Sequence, residues 1–409
     1  MSSLKSQWRT PAFVIVAGCL ISATGFGIRS SFGLFLEPMT AAQDWSRETF
    51  GLAMALQNLF WGLGLPIAGI LADRWGSSRV IIGGAIAYFA GVYGMALSDS
   101  QTLLYLTGGV LSGLGIAFSA FTLAMASMAR AVGPEKRAFV LGIGTAAGSA
   151  GQVLFSPIGQ MFINNFGWQQ ALVMLALLAL VLVPLAWILP HGASANQAQD
   201  EQTLQAALYE ALSHRGFVLL SLGFFVCGFH VAFITVHFPA YVRDIGLDPS
   251  IGAYSLALIG LFNIAGSLLS GVAGQRFSMK YSLSFIYTAR AVAITALLIL
   301  PKTPFVVLVF AAVMGLLWLS TVPLTTGIVA QVFGTRYMGT LFGIVFLSHQ
   351  IGSFMGVWLG GKLYDSSGRY DSMWMAGVVL GLLAAALHMP INEMPVARLA
   401  GTATPSVTG

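Results

Sequence analysis

Charged side chains are scarce in this chain, and those that fall inside apolar segments are where chemistry could occur. Only 8% of the 409 residues are charged, against 57% hydrophobic. Arg29 stands among Gly25, Gly27, Ser30 and Ser31, and Arg290 closes the run Tyr287-Thr288-Ala289-Arg290. A guanidinium stays charged and can grip a carboxylate through two parallel hydrogen bonds. No Asp or Glu falls well inside an apolar segment; Glu37 stands at the end of one. The two arginines therefore make an electropositive interior that a small anion could complete. His230 and His237 are seven apart, so they share a helix face, and His349 sits in Ser348-His349-Gln350. Imidazole is the group that titrates readily near neutrality. Each histidine could carry a proton, donate a hydrogen bond to a solute, or simply satisfy a neighbouring helix. Gln57, Asn58 and Asn263 are further polar candidates, with Gln152, Ser149, Ser119 and Thr122 behind them.

The elements that must position these groups are membrane helices. Mean hydropathy is +0.83, and a helix needs about 20 apolar residues to cross the hydrocarbon core. Twelve segments qualify, near 11–35, 48–71, 79–98, 102–127, 138–161, 169–190, 216–241, 251–274, 281–300, 304–330, 339–362 and 373–390. Lipid satisfies no backbone hydrogen bond, so each is expected to be a helix. The expected fold is an all-α membrane protein of twelve spans in two pseudo-symmetric six-helix bundles. With the N-terminus in the cytoplasm, Arg47, Arg243, Lys302, Lys362 and Arg369 fall outside and Arg29 and Arg290 within the membrane. The other twelve of the 19 Lys and Arg fall inside. That asymmetry sets both termini on the cytoplasmic side. It also accounts for the net charge of +5, without a nucleic-acid partner.

Residues 191–215 form the longest polar interruption, dividing a bundle at 1–190 from one at 216–390. Leu204, Ala207, Leu208, Ala211 and Leu212 recur there at helical spacing. Residues 391–409 are expected to be a disordered cytoplasmic tail. A shift of 202 residues places Gly69 on Gly271 and Arg74 on Arg276, a weak internal repeat. Repeats of this kind place the solute site at their interface near the midplane.

The most specific motif is Gly69-Ile-Leu-Ala-Asp73-Arg74-Trp-Gly76-Ser-Ser-Arg79, a charged turn between two apolar segments. It closely resembles the signature loop between helices 2 and 3 of the major facilitator superfamily of secondary transporters. Other segments resemble the bacterial monocarboxylate porter and oxalate/formate antiporter branch. They include the run Gly25–Phe35, the turn Asp44-Trp45-Ser46-Arg47 and the glycine-rich run after Lys136-Arg137. Phe166-Gly167-Trp168 also fits. The resemblance covers essentially the whole chain. It implies that helix 1, with Arg29, lines a central cavity, whereas helix 9, with Arg290, lies outside it. Asn263 and Ser267 stand where many members of the branch carry a helix-8 arginine, so the usual anion anchor is absent. The loop residues Gly69, Asp73, Arg74, Gly76 and Arg79 are expected to serve gating, Asp73 by pairing or capping at the inner boundary.

These observations predict a secondary active transporter in the bacterial cytoplasmic membrane. It moves a small organic anion, a monocarboxylate by resemblance, by alternating access, through proton symport or anion exchange. The alternative is proton-coupled efflux of drugs or metabolites by the same fold. No cofactor, nucleic acid or obligate oligomer is expected. There is no G-x-x-x-x-G-K-[ST] loop for ATP, no H-E-x-x-H and no G-x-S-x-G nucleophile elbow. Cys227 and His230 form a C-x-x-H pair without a second pair to complete a zinc site.

Overall fold

The computed structural model describes residues 10–189, 203–334 and 337–400, without the side chains of Asp73, Pro134, Glu135, Arg137, Ala138, Phe139 and Ala400. The expectations placed on Lys5, Arg9, Arg336, residues 191–202 and residues 401–409 fall outside these limits, as do the partners of Asp73.

Every long element is a helix. α1 is Pro11–Ser30, prolonged by a 3-10 turn at Phe32–Phe35 and a helix Leu36–Gln43. α2 is Arg47–Trp75 and α3 is Ser77–Ala96. α4 is broken: a first part runs continuously from Gln101 to Phe118, and a second, α4b, is Phe121–Arg130. α5 and α6 run on within Pro134–Ala179 and are divided by Gly167 at φ 77°; Leu182–Ile188 completes α6. A linker helix, Leu204–Ser213, precedes the second half. α7 is Arg215–Asp244, α8 is Pro249–Arg276 and α9 is Met279–Ile299. α10 is broken like α4, into α10a, Pro304–Leu317, and α10b, Thr321–Phe333. α11 is Met338–Ser367 and α12 is Asp371–His388. Among the described residues, eleven helices are apolar and long enough to cross a membrane, and the longest, Val140–Ile188 with 49 residues, is long enough for two spans divided at Gly167. Twelve spans result.

Local chemistry explains where the helices begin and end. Ser46, Asp248 and Thr303 cap α2, α8 and α10a by accepting the N–H of Thr49, Ser250 and Val306. Pro11, Pro134, Pro249 and Pro304 open their helices, where a missing N–H costs nothing. Gly76, at φ 87°, turns α2 into α3, a backbone conformation that a side chain would strain.

The two halves repeat one another. Matching helices start 202 residues apart for Arg47 and Pro249, and again for Ser77 and Met279. Packing repeats too. A Cβ on Gly151 of α5 would lie 1.9 Å from the carbonyl oxygen of Ala23 on α1. A Cβ on Gly352 of α11 would lie 1.9 Å from that of Phe225 on α7. Small residues permit such close contact, which drives helix association where lipid removes the hydrophobic force.

Cross-half bonds are concentrated at one end. The Arg47 guanidinium makes two bonds to Asp244, at 2.6 and 2.7 Å, and one to the Tyr370 hydroxyl at 3.0 Å. The Asp365 carboxylate accepts the N–H groups of Arg47 and Glu48, which start α2. Arg243 pairs with Glu37, and the Trp358 indole donates to Glu48. Near the middle, Asn263 meets Ser149 and Gln350 meets Asn58. At the Gly76 end, no hydrogen bond or ion pair joins the halves among the described side chains.

Residues 391–400, at the start of the expected C-terminal tail, pack against the bundle. Ile391 is buried, Glu393 accepts the N–H of Lys280, and Arg398 bonds Glu210 of the linker helix and the Phe333 carbonyl. The segment supplies partners to the ends of α9 and α10b that water would otherwise have to provide.

Candidate functional site

Arg29 lies in the last turn of α1 and is 9% exposed. One terminal nitrogen donates to Oδ1 of Asn58 at 2.6 Å, and the guanidinium carbon stands 4.7 Å from the centre of the Trp61 ring. Asn58 and Trp61 are one turn apart on α2, so one helix face supplies both contacts. Asn58 is itself steadied by donating to the Met54 carbonyl. The Asn58 carbonyl accepts from Gln350 of α11 at 2.9 Å, carrying the network across to the second half. Gln350 in turn pairs with Nδ1 of His349 at 2.9 Å. The His349 ring stacks on Phe346, and Phe346 meets Trp61 edge to face. Arg29, Asn58 and His349 thus belong to one polar and aromatic chain across the interface. No Asp or Glu is found among the buried residues described.

Asn263 stands on the other flank. Its amide donates to Ser149 of α5 at 2.9 Å, while its oxygen accepts from Ser267 and from the N–H of Leu319, where α10 breaks. Beside it lies a cavity of about 130 Å³ reached by Thr145, Ser149, Ser267 and Pro323.

Three expected site residues point elsewhere, and the reason is helix phase. His230 is buried with its Nε2 2.8 Å from the Gly377 carbonyl of α12, so it faces the interior of the second half. Gln57 donates to the Gly108 carbonyl of α4, inside the first half. Arg290 is fully buried and bonded to the carbonyls of Leu317, at 2.6 Å, and Trp318. It also lies 3.6 Å from the Cys227 sulfur. A cation at the C-terminal end of α10a meets exposed carbonyls and the negative end of the helix dipole, which is a structural role. His237 is likewise occupied, by the Val357 carbonyl and the Tyr370 hydroxyl. Cys227 contacts Thr321 at 3.2 Å, and no group of three metal-ligating residues occurs among the described residues.

In the charged loop, Arg74 and Arg79 are exposed, and nothing lies within 4 Å of a Cβ placed on Gly69. The serines between them do the anchoring. Ser77 accepts from Arg130 at the end of α4b, and Ser78 donates to the Ala186 carbonyl of α6.

Two residues beside Arg29 were not singled out from the sequence: Trp61 and Tyr88. An aromatic side chain in an apolar segment is usually indistinguishable from one facing lipid. Signals did exist, since Trp61 follows Asn58 by one turn and Tyr88 matches Arg290 under the 202-residue shift.

The family model described as Major Facilitator Superfamily matches residues 15–357. Over 372 residues the chain is 25% identical to monocarboxylate transporter 13 of Rattus norvegicus, covering 90% of this chain and 86% of that one. It is also 25% identical over 395 residues to YcxA of Bacillus subtilis, described as an uncharacterized MFS-type transporter, covering 94% and 96%. Among solved structures it resembles a bacterial homologue of the human lysosomal transporter Spinster, inward-facing and unoccupied. The TM-score there is 0.72 at 17% identity, covering 94% of this chain and 96% of that one. Twelve spans in two matched halves, and a family match across most of their length, give one conclusion: the chain belongs to the Major Facilitator Superfamily, as a multi-pass membrane transporter and not an enzyme.

Proposed function

We propose that the protein is a secondary active carrier of a small organic anion, a monocarboxylate, working by alternating access in a bacterial cytoplasmic membrane with both termini inside. The observation that carries this reading is Arg29. Its guanidinium is buried at the interface-facing end of α1, is bound by one neutral amide, and has no buried carboxylate among the described residues to neutralise it. Burying an unpaired charge is costly, so a transiently bound counter-ion is the natural complement. The similarity to monocarboxylate transporter 13 supports the same class of anion. In this orientation the bonded Arg47 end is extracellular, and the state described is closed outside. His349, within the same network, is the proposed site of any coupled proton.

The test is uptake of labelled lactate, pyruvate, formate and oxalate by purified protein in liposomes, with and without an inward proton gradient. Saturable uptake is expected, reduced roughly a hundredfold by Arg29→Gln, the loss of a two-bond contact to a charge. Gradient dependence marks symport, and acceleration by acid on the opposite side marks exchange. A folded protein that takes up none of these acids refutes the reading.

A further inference from the structure

Just before Arg29, a small chamber lies against the break in α4. Its walls include Ser22, Gly25, Trp61, Tyr88 and Ser119. Three polar atoms have no hydrogen-bond partner among the described residues here: the Trp61 indole nitrogen and the Tyr88 hydroxyl, whose residues line the chamber, and Nε of Arg29, whose guanidinium lies over the Trp61 ring. The three side chains are 6%, 0% and 9% exposed, so solvent does not satisfy them. An unmet buried donor costs on the order of 1–3 kcal/mol, and three together call for a reason. A further donor set adjoins them. The ten-residue α4b begins at Phe121, on the chamber wall, with no side-chain cap. The Leu123 N–H bonds the Ala120 carbonyl, those of Phe121 and Thr122 lie ahead of it in the first turn, and the positive end of the helix dipole faces the break. Two N–H donors, a hydroxyl and a helix N-terminus around one cavity are the complement of an anion.

We infer that this chamber holds the carboxylate of the transported acid, with Tyr88 and Trp61 as neutral ligands beside Arg29 and α4b as a fixed dipole. The inference rests on the anion reading above and locates its headgroup. The chamber's volume of about 20 Å³ admits one water-sized group, which suits one end of a planar carboxylate better than a tetrahedral headgroup. The acyl part extends past Gly25, where a Cβ would meet nothing within 4 Å. Discontinuous helices in transporters present half-helix N-termini to anionic substrate groups in just this way.

Purified Tyr88→Phe and Trp61→Phe proteins in liposomes test it, with KM and maximal rate measured for labelled lactate and pyruvate. Each is expected to raise KM roughly tenfold, the loss of one hydrogen bond to a charge, with a smaller change in maximal rate. The melting temperature of the unliganded protein should hold or rise, because Tyr88→Phe removes an unmatched hydroxyl. A purely structural role would lower it instead. Methanesulfonate should compete at least tenfold more weakly than acetate in the wild type, a result independent of any variant's folding. Wild-type KM in both variants, with uptake still abolished by Arg29→Gln, would overturn the chamber while leaving the anion reading intact. Failure of the wild type to take up any acid would overturn both.

Discussion

The two halves pack alike and use their polar groups differently. Ala23 and Phe225 are 202 residues apart, and each offers its carbonyl to a glycine on the fifth helix of its own half. Tyr88 and Arg290 are also 202 apart, and both are fully buried on the third helix. There the likeness stops. Arg290 fills the break in α10 by bonding the Leu317 and Trp318 carbonyls, so the backbone of that discontinuity has a partner. Tyr88 leaves its hydroxyl unmatched at the break in α4, and the arginine of that half, Arg29, stands on α1 with one nitrogen unpartnered. Each arginine leaves one nitrogen unpartnered, Nη1 of Arg290 and Nε of Arg29, so the difference lies in what they bond: Arg290 holds two backbone carbonyls, Arg29 one side-chain amide. Close packing tolerates little change, whereas a polar group can be added wherever a partner exists.

This comparison can be broken at several points. Arg290→Met should have the largest effect on folding. It strands two buried carbonyls at the α10 break, a loss of roughly 3 kcal/mol read as melting temperature and folded yield in detergent. Arg29→Gln should spare both, and equal damage from the two substitutions would erase the distinction between the arginines. Gly151→Ala and Gly352→Ala should each cost about 1–3 kcal/mol, because a backbone carbonyl cannot yield as a side chain can. Similar losses in the two would confirm that packing is symmetric; a loss in one alone would show that only that half is tightly packed. Arg47→Ala should have the smallest effect, about 1 kcal/mol, since Arg47 and Asp244 remain partly exposed. Its signature is conformational: spin labels on the Arg47-end loops of the two halves should report a wider distance distribution. An unchanged distribution would mean that other contacts hold that end closed.

Much of the scaffold was legible in the chain. Apolar runs long enough to cross a bilayer must be helices, so α2, α3, α7, α8 and α9 could be read within a few residues of where they lie. The 202-residue shift, seen first in Gly69 and Gly271, recurs in helix starts and glycine contacts. The break in α4 was not legible, because no proline marks it and apolar composition continues through it; that in α10 carried one signal, Pro323 in the first turn of α10b, inside a run that otherwise reads as a single span. The candidate site was legible in part. Arg29, Asn58 and His349 come together across the interface, and Asn263 lines its other flank. His230 and Gln57 were drawn in by residue type and turn out to serve their own halves.

Composition and the spacing of apolar runs determined that this chain spans a membrane twelve times and repeats itself. Those facts follow from the solvent, which leaves a backbone in lipid only one way to satisfy its hydrogen bonds. The charged turn between Gly69 and Arg79 carried the resemblance to the family, which the family model matching residues 15–357 shows. Only the tertiary structure decided what each arginine bonds, two backbone carbonyls for Arg290 and one side-chain amide for Arg29. That depends on helix phase and on where α4 and α10 break, and both are settled by groups that meet from different helices, Arg29 with Asn58 and Arg290 with the Leu317 and Trp318 carbonyls.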